Sequence, residues 1–354
     1  MGMPSVIISF SQKAATALSR GERGIIAMIL KDENVPDTNP SVCLSSGDIP
    51  EILSETNKEQ ISFALKGYIN LPKKVVVYVI KNDEGELNEA LNFFSSYKFN
   101  WLVYPSAQTD DAVNRLVEYV KTERANNHLI KAVLPNAEAD SEAIVNFTTS
   151  KIYVDDTEYD VEEYCSRIAG MIAGTPMSIA TTYAELAEVT DCTKLSKSAM
   201  DDAVDNGEFI LFFDGEKVKT ARAVTSLKTL TADKGKNFKK IKIVEAMDMI
   251  ADDIRTTMED SYIGKYPNTY DNKCLLIAAI NNYFQTLVDD NIIASGIVEI
   301  DLNANSKYLA GEGKDISSMS EDDIKMADTG SYVYLKATVQ MLDAIEDIVI
   351  PITM

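Results

Sequence analysis

The sequence predicts an α/β fold, α+β overall, in which an α/β domain is inserted between an N-terminal arm and a C-terminal α+β domain. Three observations carry this reading. Short apolar runs alternate with helix-spaced patterns from residue 23 to about 230, the mark of a largely parallel sheet covered by helices. Two longer amphipathic patterns joined by a Gly/Pro loop occupy residues 234–296. Both ends carry apolar, strand-like segments with no nearby turn to supply a hairpin partner. With 354 residues the chain exceeds what one core usually holds. The expected division is an arm at 1–22, an α/β domain at 23–230, a C-terminal domain at 231–340 and a second arm at 341–354.

Composition narrows the function classes. Hydrophobic residues make up 45% and charged residues 25%, as in an ordinary globular protein. No run approaches the roughly 18 apolar residues of a membrane span. Met1-Gly2-Met3-Pro4-Ser5 has no basic region followed by an apolar one, so no secretory signal is expected. Val6 stands where a myristoylation motif needs Ser or Thr. A net charge of −21 argues against wrapping nucleic acid and favours a partner with positive patches. Cys43, Cys165, Cys192 and Cys274 are far apart, without a Cys-x-x-Cys pair, and read as free thiols in a reducing compartment. The sequon Asn146-Phe147-Thr148 therefore carries little meaning.

In the N-terminal arm, Val6-Ile7-Ile8-Ser9-Phe10 reads as a strand on a polar tether that ends at Ser19-Arg20-Gly21. An apolar strand on a tether pairs with something distant in its own chain or in another. Buried strands are then expected at 24–30, 74–80, 100–105 and 128–135, the last two closed by proline. Helices are expected at 59–69, 87–97, 110–124 and 161–173, the last ended by Thr175-Pro176. Asp214-Gly215 between 208–213 and 217–224 signals a hairpin with a tight two-residue turn.

The best-specified stretch begins with a Lys-rich strand entry at Lys236, Lys239, Lys240 and Lys242. Ile243, Met247, Ile250, Ile254 and Met258 then recur at helical spacing. After the loop 262–269, Ile277, Ile280, Phe284 and Leu287 form a second stripe, which stops at Asp289-Asp290-Asn291. A strand is expected at 296–300, a polar loop at 303–320 and a short acidic helix from Ser320-Glu321-Asp322-Asp323. A half-buried strand is expected at 332–339. The chain ends in Ile348-Val349-Ile350-Pro351-Ile352, a terminal apolar strand like the one at the start.

Groups able to carry chemistry are sparse. A single histidine, His128, excludes a multi-His metal site and a catalytic triad by count, and it reads as structural. Gly311-Glu312-Gly313-Lys314 lacks the spacing of a phosphate loop. Gly170 and Gly174, four apart on a helix, allow close packing and make no dinucleotide fingerprint. Acidic pairs at 155–156, 252–253, 289–290 and 322–323 read as solvated faces. The Lys236/Lys239/Lys240/Lys242 cluster is either a solvated rim or an electrostatic dock for an acidic partner.

Taken in order and spacing, Asp248-Met249-Ile250, Tyr262-Ile263-Gly264-Lys265, Asn268, Ala279-Ile280-Asn281 and Tyr283-Phe284 resemble the C-terminal domain of contractile phage tail sheath proteins. The likeness is to the short sheaths of phage-like and bacteriocin-like particles from Gram-positive bacteria. It covers the C-terminal 120 residues, and the N-terminal arm with Met3-Pro4-Ser5 and Arg23-Gly24 fits it. The α/β middle corresponds to the outer domain by position. The resemblance implies a structural subunit, not an enzyme, that stacks as hexameric rings around a tail tube in a helical sheath. Contraction then drives the tube through a target envelope without nucleotide or other cofactor.

The implied partners are further copies of the chain, the tail tube protein, and baseplate and tail terminator proteins. Neither nucleic acid nor membrane insertion is implied. Assembly in a bacterial cytoplasm and release as a phage tail or tail-like particle are. The implied arm strands are Val6, Ile7, Ile8 and Phe10 with Ile348, Val349, Ile350 and Ile352, hinged at Ser19, Arg20 and Gly21. The implied tube-facing candidates are Lys236, Lys239, Lys240 and Lys242 with Asp322, Asp323 and Lys325. Tyr262, Ile263, Gly264, Lys265, Asn268, Ala279, Ile280 and Asn281 are the implied packing signature.

The competing reading is an α/β enzyme or small-ligand-binding protein using a sheet crevice in 23–230. Ser106, after Trp101-Leu102-Val103-Tyr104-Pro105, offers a hydroxyl at a strand end but no base nearby in sequence. Large rings or polymers distinguish the first reading from the second.

Overall fold

The apolar run at the head of the α/β region forms β1 (Ile25–Lys31), whose first six side chains are all buried. In the computed structural model, residues 17–18, 20–81 and 84–353 are described. They divide into two units, one of Gly21–Met249 with the stretch after Asp343, the other of Ile250–Leu342 with the described residues up to Arg20. The N-terminal strand candidates Val6, Ile7, Ile8 and Phe10, and the hinge residue Ser19, lie outside the described residues.

In the first unit, β1 is followed by β2 (Ser41–Cys43), α1 (Glu55–Leu65), β3 (Lys74–Ile80), α2 (Glu84–Ser95), β4 (Trp101–Val103) and α3 (Val113–Ala125). Next come β5 (Lys131–Pro135), β6 (Ile144–Phe147), β7 (Ile152–Val154), β8 (Thr157–Tyr159), α4 (Cys165–Ala173), β9 (Asp191–Cys192), α5 (Lys197–Asp205) and β10 (Glu208–Phe209). Among the described residues, seven strands form one sheet in the order β10-β6-β5-β4-β1-β3-β2. Every neighbouring pair is parallel except the antiparallel edge strand β2.

Both faces of this sheet are covered, which is why its strands read as unbroken apolar runs. Ile26, Met28 and Leu30 pack with Ile61 and Ala64 of α1 and Ile168 and Ala169 of α4. The alternate set Ile25, Ala27 and Ile29 packs with Leu91 and Phe94 of α2 and Leu116 and Val120 of α3. The Gly170/Gly174 spacing acts as expected. A Cβ on Gly170 would stand 2.2 Å from the Ala64 carbonyl oxygen, and one on Gly174 2.2 Å from that of Asn70. Only glycine lets α4 approach that closely.

Two local expectations are corrected here. The hairpin of β11 (Leu211–Phe213) and β12 (Val218–Thr220) does close in a two-residue turn, but over Gly215-Glu216 and not Asp214-Gly215, because the Asp214 N–H donates to the Lys217 carbonyl at 3.0 Å. The Asp214 carboxylate accepts the N–H groups of Glu216 at 2.9 Å and Lys217 at 2.8 Å, so side-chain capping shapes the loop beside Gly215. The Lys-rich strand entry is a 3-10 turn, Lys236–Lys239, leading into α6 (Ile241–Ser261). Three of its four residues are polar, with Phe238 alone between them, so there is no apolar alternation to pair with a sheet. Extended geometry is confined to a single bridge between Val224 and Lys240.

The boundary between the units falls inside α6. Its first turns belong to the α/β unit and are anchored there by a buried ionic cluster. Asp248 accepts from both Arg124 guanidinium nitrogens, at 2.8 and 3.0 Å, and from Lys131 Nζ at 2.8 Å. Burial alone would raise the Asp248 carboxyl, but Lys131 and Arg124 hold it below its ordinary range.

In the second unit, α6 ends through Gly264 at φ 73°, and Thr269 caps α7 (Tyr270–Asp289) by accepting the Asn272 N–H. The remaining elements are β13 (Ile293–Ile300), α8 (Leu302–Gly311), α9 (Glu321–Met326) and β14 (Leu335–Met341). Much of the expected polar loop at 303–320 is thus α8. Asp301 caps it by accepting the Ala304 N–H at 2.9 Å, and Asn305 and Leu309 are buried one turn apart. Helix-indifferent residues such as Asn303 and Ser306 hid this helix, which tertiary burial stabilises. At α9, Ser320 and Asp323 form a reciprocal capping pair.

Candidate assembly surfaces

A two-stranded sheet is barely stable alone, so what covers β13 and β14 decides what this part of the molecule does. They pair antiparallel, with Val298 opposite Ala337 and Ile297 opposite Thr338. α7 packs against β13 closely enough that a Cβ on Gly296 would lie 2.7 Å from the Phe284 ring. Asp301 N–H donates to Tyr334 O at 3.0 Å, and alternation along the antiparallel ladder fixes the rest. The backbones of Ile297 and Glu299 bond to β14, and those of Gly296, Val298 and Ile300 point away from it.

Asn281 uses that outward position. Its side-chain oxygen accepts the Val298 N–H at 2.8 Å, and its Nδ2 donates to the Val298 carbonyl at 3.2 Å. One amide thus takes the place of a neighbouring strand and caps β13. The outer edge of β14 has no such cap, and no described strand pairs with it. By the same alternation Leu335, Ala337 and Val339 direct their backbone N–H and C=O groups outward there.

Beside β14 runs a largely apolar groove of about 680 Å³, lined by Ile254, Met258, Tyr262, Leu276, Val333 and Leu335 among others. Several signature residues shape it. Ala279 and Ile280 are buried, Ile263 is exposed, and Tyr262 stacks on Tyr266 with ring centres 5.3 Å apart. Lys265 donates to the Asp260 carbonyl. Asn268 Nδ2 donates to the carbonyls of Gly330 at 2.8 Å and Tyr332 at 2.9 Å, which fixes the approach to β14.

The segment 343–353 carries no regular secondary structure. Ile348, Val349, Ile350 and Ile352 are 73%, 90%, 73% and 84% exposed, far from what such side chains adopt by preference. Of the lysine candidates, Lys236 is exposed, Lys239 half-buried and Lys242 buried, while Lys240 is ion-paired with Asp343 and Glu346 of this segment. Asp322 and Asp323 are exposed on α9, where Lys325 Nζ lies 3.2 Å from Asp322. Arg20 pairs with Asp290 at the end of α7.

The crevice needed by the competing reading lies at the carboxyl ends of β1 and β4, where the strand order reverses. Its polar groups are engaged with one another. Lys31 Nζ lies 2.6 Å from Asp110, which also takes the Tyr104 hydroxyl. Burial would raise Asp32, yet hydrogen bonds from Asn57, Asn34 and Ser54 hold it at about 2. Glu162 accepts the Gln108 and Thr109 N–H groups at 2.8 and 3.0 Å, closing the loop that contains Ser106. His128 Nδ1 lies 2.7 Å from Glu123 and its ring meets Phe99 edge-on, a structural role. Among the described residues there is no cluster suited to hold a metal ion, and no helix is long and apolar enough to cross a membrane.

Two family models match the chain, the phage tail sheath protein central domain over residues 81–226 and the phage tail sheath C-terminal domain over 233–354. The tail sheath protein of Clostridium phage phiCD119 is 38% identical over 360 aligned residues, covering 100% of this chain and 99% of its own. The chain belongs to the phage tail sheath family. It is a structural sheath subunit, and its fold recurs in solved sheath proteins. The helical sheath of the anti-feeding prophage in its contracted state matches with TM-score 0.75 at 13% identity, covering 100% of this chain and 99% of that one. A sheath tail protein of Desulfitobacterium hafniense matches with TM-score 0.71 at 19% identity, covering 84% and 94%. The mixed α/β architecture expected from the sequence is that of the sheath fold.

Proposed function

We propose that this sheath subunit polymerises as stacked hexameric rings around a tail tube and contracts to drive the tube through a cell envelope. The observation that carries the proposal is the uncapped β14 edge beside an apolar groove. An added strand would place main-chain hydrogen bonds along Leu335, Ala337 and Val339 and drop alternate side chains into the groove. The occupants are the apolar arms of neighbouring copies, Val6, Ile7, Ile8 and Phe10 at one end and Ile348, Val349, Ile350 and Ile352 at the other. Ser19, Arg20 and Gly21 serve as the hinge of the N-terminal arm.

Functionally, 1–22 and 341–354 act as exchange arms, 23–230 as the outer domain and 231–340 as the tube-proximal domain. Lys236, Lys239, Lys240 and Lys242 with Asp322, Asp323 and Lys325 are the candidate tube contacts. The tube protein, baseplate and terminator are the partners. The subunit assembles in the bacterial cytoplasm and leaves in a tail or tail-like particle. It works without catalysis, since contraction draws on the free energy of a metastable extended state. The crevice of the α/β sheet supports no second reading, because its polar groups are spent on the chain's own loops.

Negative-stain electron microscopy of concentrated protein tests this directly. Hollow striated cylinders are expected, and deletion of residues 1–10 should leave a folded subunit unable to build long sheaths. Normal-length cylinders from the truncated chain would sink the arm mechanism. Dispersed wild-type protein even with tail tube added would sink the assembly reading.

A further inference from the structure

The chain leaves β14 through Leu342 and enters an irregular stretch bearing three carboxylates, Asp343, Glu346 and Asp347. Each meets a partner on the α/β unit. Lys240 Nζ lies 2.9 Å from Glu346 and also holds Asp343. Arg222 donates to Asp347 at 2.6 Å, with its other terminal nitrogen 3.7 Å from Glu346. Thr182 donates its hydroxyl to the second Glu346 oxygen at 2.6 Å, while the same hydroxyl accepts the Ala223 N–H at 3.0 Å.

The Glu346 side chain is only 5% exposed, whereas its neighbours Ile345 and Ile348 are 87% and 73% exposed. A carboxylate sinks this far into protein, while the apolar residues around it stay in water, only when its partners are in place. Burial by itself would depress the Lys240 ammonium, but Asp343 and Glu346 outweigh it and hold it above its ordinary value. Asp347 raises Arg222 and is itself lowered by it, so these groups stay charged through the neutral range.

We infer that Thr182, Arg222 and Lys240 form an ionic clasp that roots the C-terminal arm and sets where its apolar residues are offered to a second copy of the chain. The inference rests on the assembly reading above. A rooted arm samples a small volume, which raises the effective concentration of its strand at the neighbour's edge. It also lowers the ordering cost of strand addition. In the clasp Thr182, Arg222 and Lys240 act as positioning residues for the arm. Because Arg222 and Lys240 are partly exposed, salt weakens the clasp before it weakens the core.

The test compares full-length wild type with Arg222→Gln/Lys240→Gln and with the charge-conserving Arg222→Lys/Lys240→Arg. The Gln pair should melt within about 3 °C of wild type, since the released segment carries Glu346 back into water instead of leaving it buried and unpaired. Limited proteolysis within 343–352 should speed up about tenfold or more as the arm is released. Sheath yield and length by electron microscopy should fall, with the Lys/Arg pair restoring both. Cleavage of wild type alone should speed up as salt rises. Sheaths of wild-type yield and length from the Gln pair would overturn the clasp. If wild type itself built no sheath with tube present, the assembly reading would fail separately. Proteolysis would still decide the clasp, and equal cleavage rates within 343–352 in wild type and the Gln pair would overturn it.

Discussion

The seven-stranded sheet and the β13–β14 pair are made from similar residue types and end in opposite conditions. In β3, five of seven side chains are buried, whereas in β14 none is. The first sheet finds helices for both faces and an antiparallel strand for one edge within its own chain. The second has one face on α7, one edge capped by a single asparagine and, among the described residues, no strand on the other edge. A protein that only needed to be stable would complete the smaller sheet, since bare edges invite association. On the proposed reading the incomplete sheet is where neighbouring copies associate, and the complete one serves as a body that needs no partner to be stable.

The contrast can be broken first at the buried cluster that belongs wholly to the complete region. Asp248→Asn leaves Arg124 and Lys131 without their shared carboxylate and should cost about 3–5 kcal/mol in urea unfolding. Because the folded Asp248 carboxyl lies below its ordinary value of 3.8, its contribution is present above that value. It is lost as pH falls through the lower folded one. Acid unfolding of wild type below about pH 4 should therefore narrow the gap between the two proteins. A gap that stays constant into acid would remove Asp248 from that role.

The incomplete sheet is best probed by two prolines one residue apart. Thr338 donates its N–H to β13, so Thr338→Pro should cost about 3 kcal/mol and loosen the pair. Ala337 points its N–H to the bare edge, so Ala337→Pro should cost about 1 kcal/mol or less in the subunit and still abolish sheath formation. Equal effects on the isolated subunit would mean that the outward edge is misassigned. Milder still, Asn281→Ala should cost about 1–2 kcal/mol by stranding the Val298 N–H and C=O. It should also raise exchange at Val298, and unchanged protection there would show that the cap is dispensable. Smallest of all, Lys325→Ala on α9 should change subunit stability by less than about 0.5 kcal/mol. Its effect, if the residue faces the tube, should appear only in tube co-assembly.

Legibility followed the range of the interactions. The buried strands of the α/β layer, the α7 stop at Asp289, the Ser320 cap and the Gly170/Gly174 contact could all be read in sequence. Each depends on residues within a turn or two, or on a face whose burial shows as a period. The Lys236–Lys239 turn and α8 differ from the sequence expectation for the converse reason. Their local residues are indifferent, and packing from elsewhere chooses the conformation. The signature residues could be recognised but their roles could not. That Asn281 acts as a surrogate strand depends on Val298, 17 residues away.

Fold class, the helix pair and the apolar character of the two terminal segments were already determined by composition and periodicity, because hydrophobic patterning acts locally and survives in one dimension. The strand order, the choice of which β13–β14 edge is sealed, and the pairing of Lys240 with Asp343 across 103 residues came from chain folding in three dimensions. Each of these selects one partner among many that local pattern leaves equivalent, and only closure of the distant chain distinguishes them.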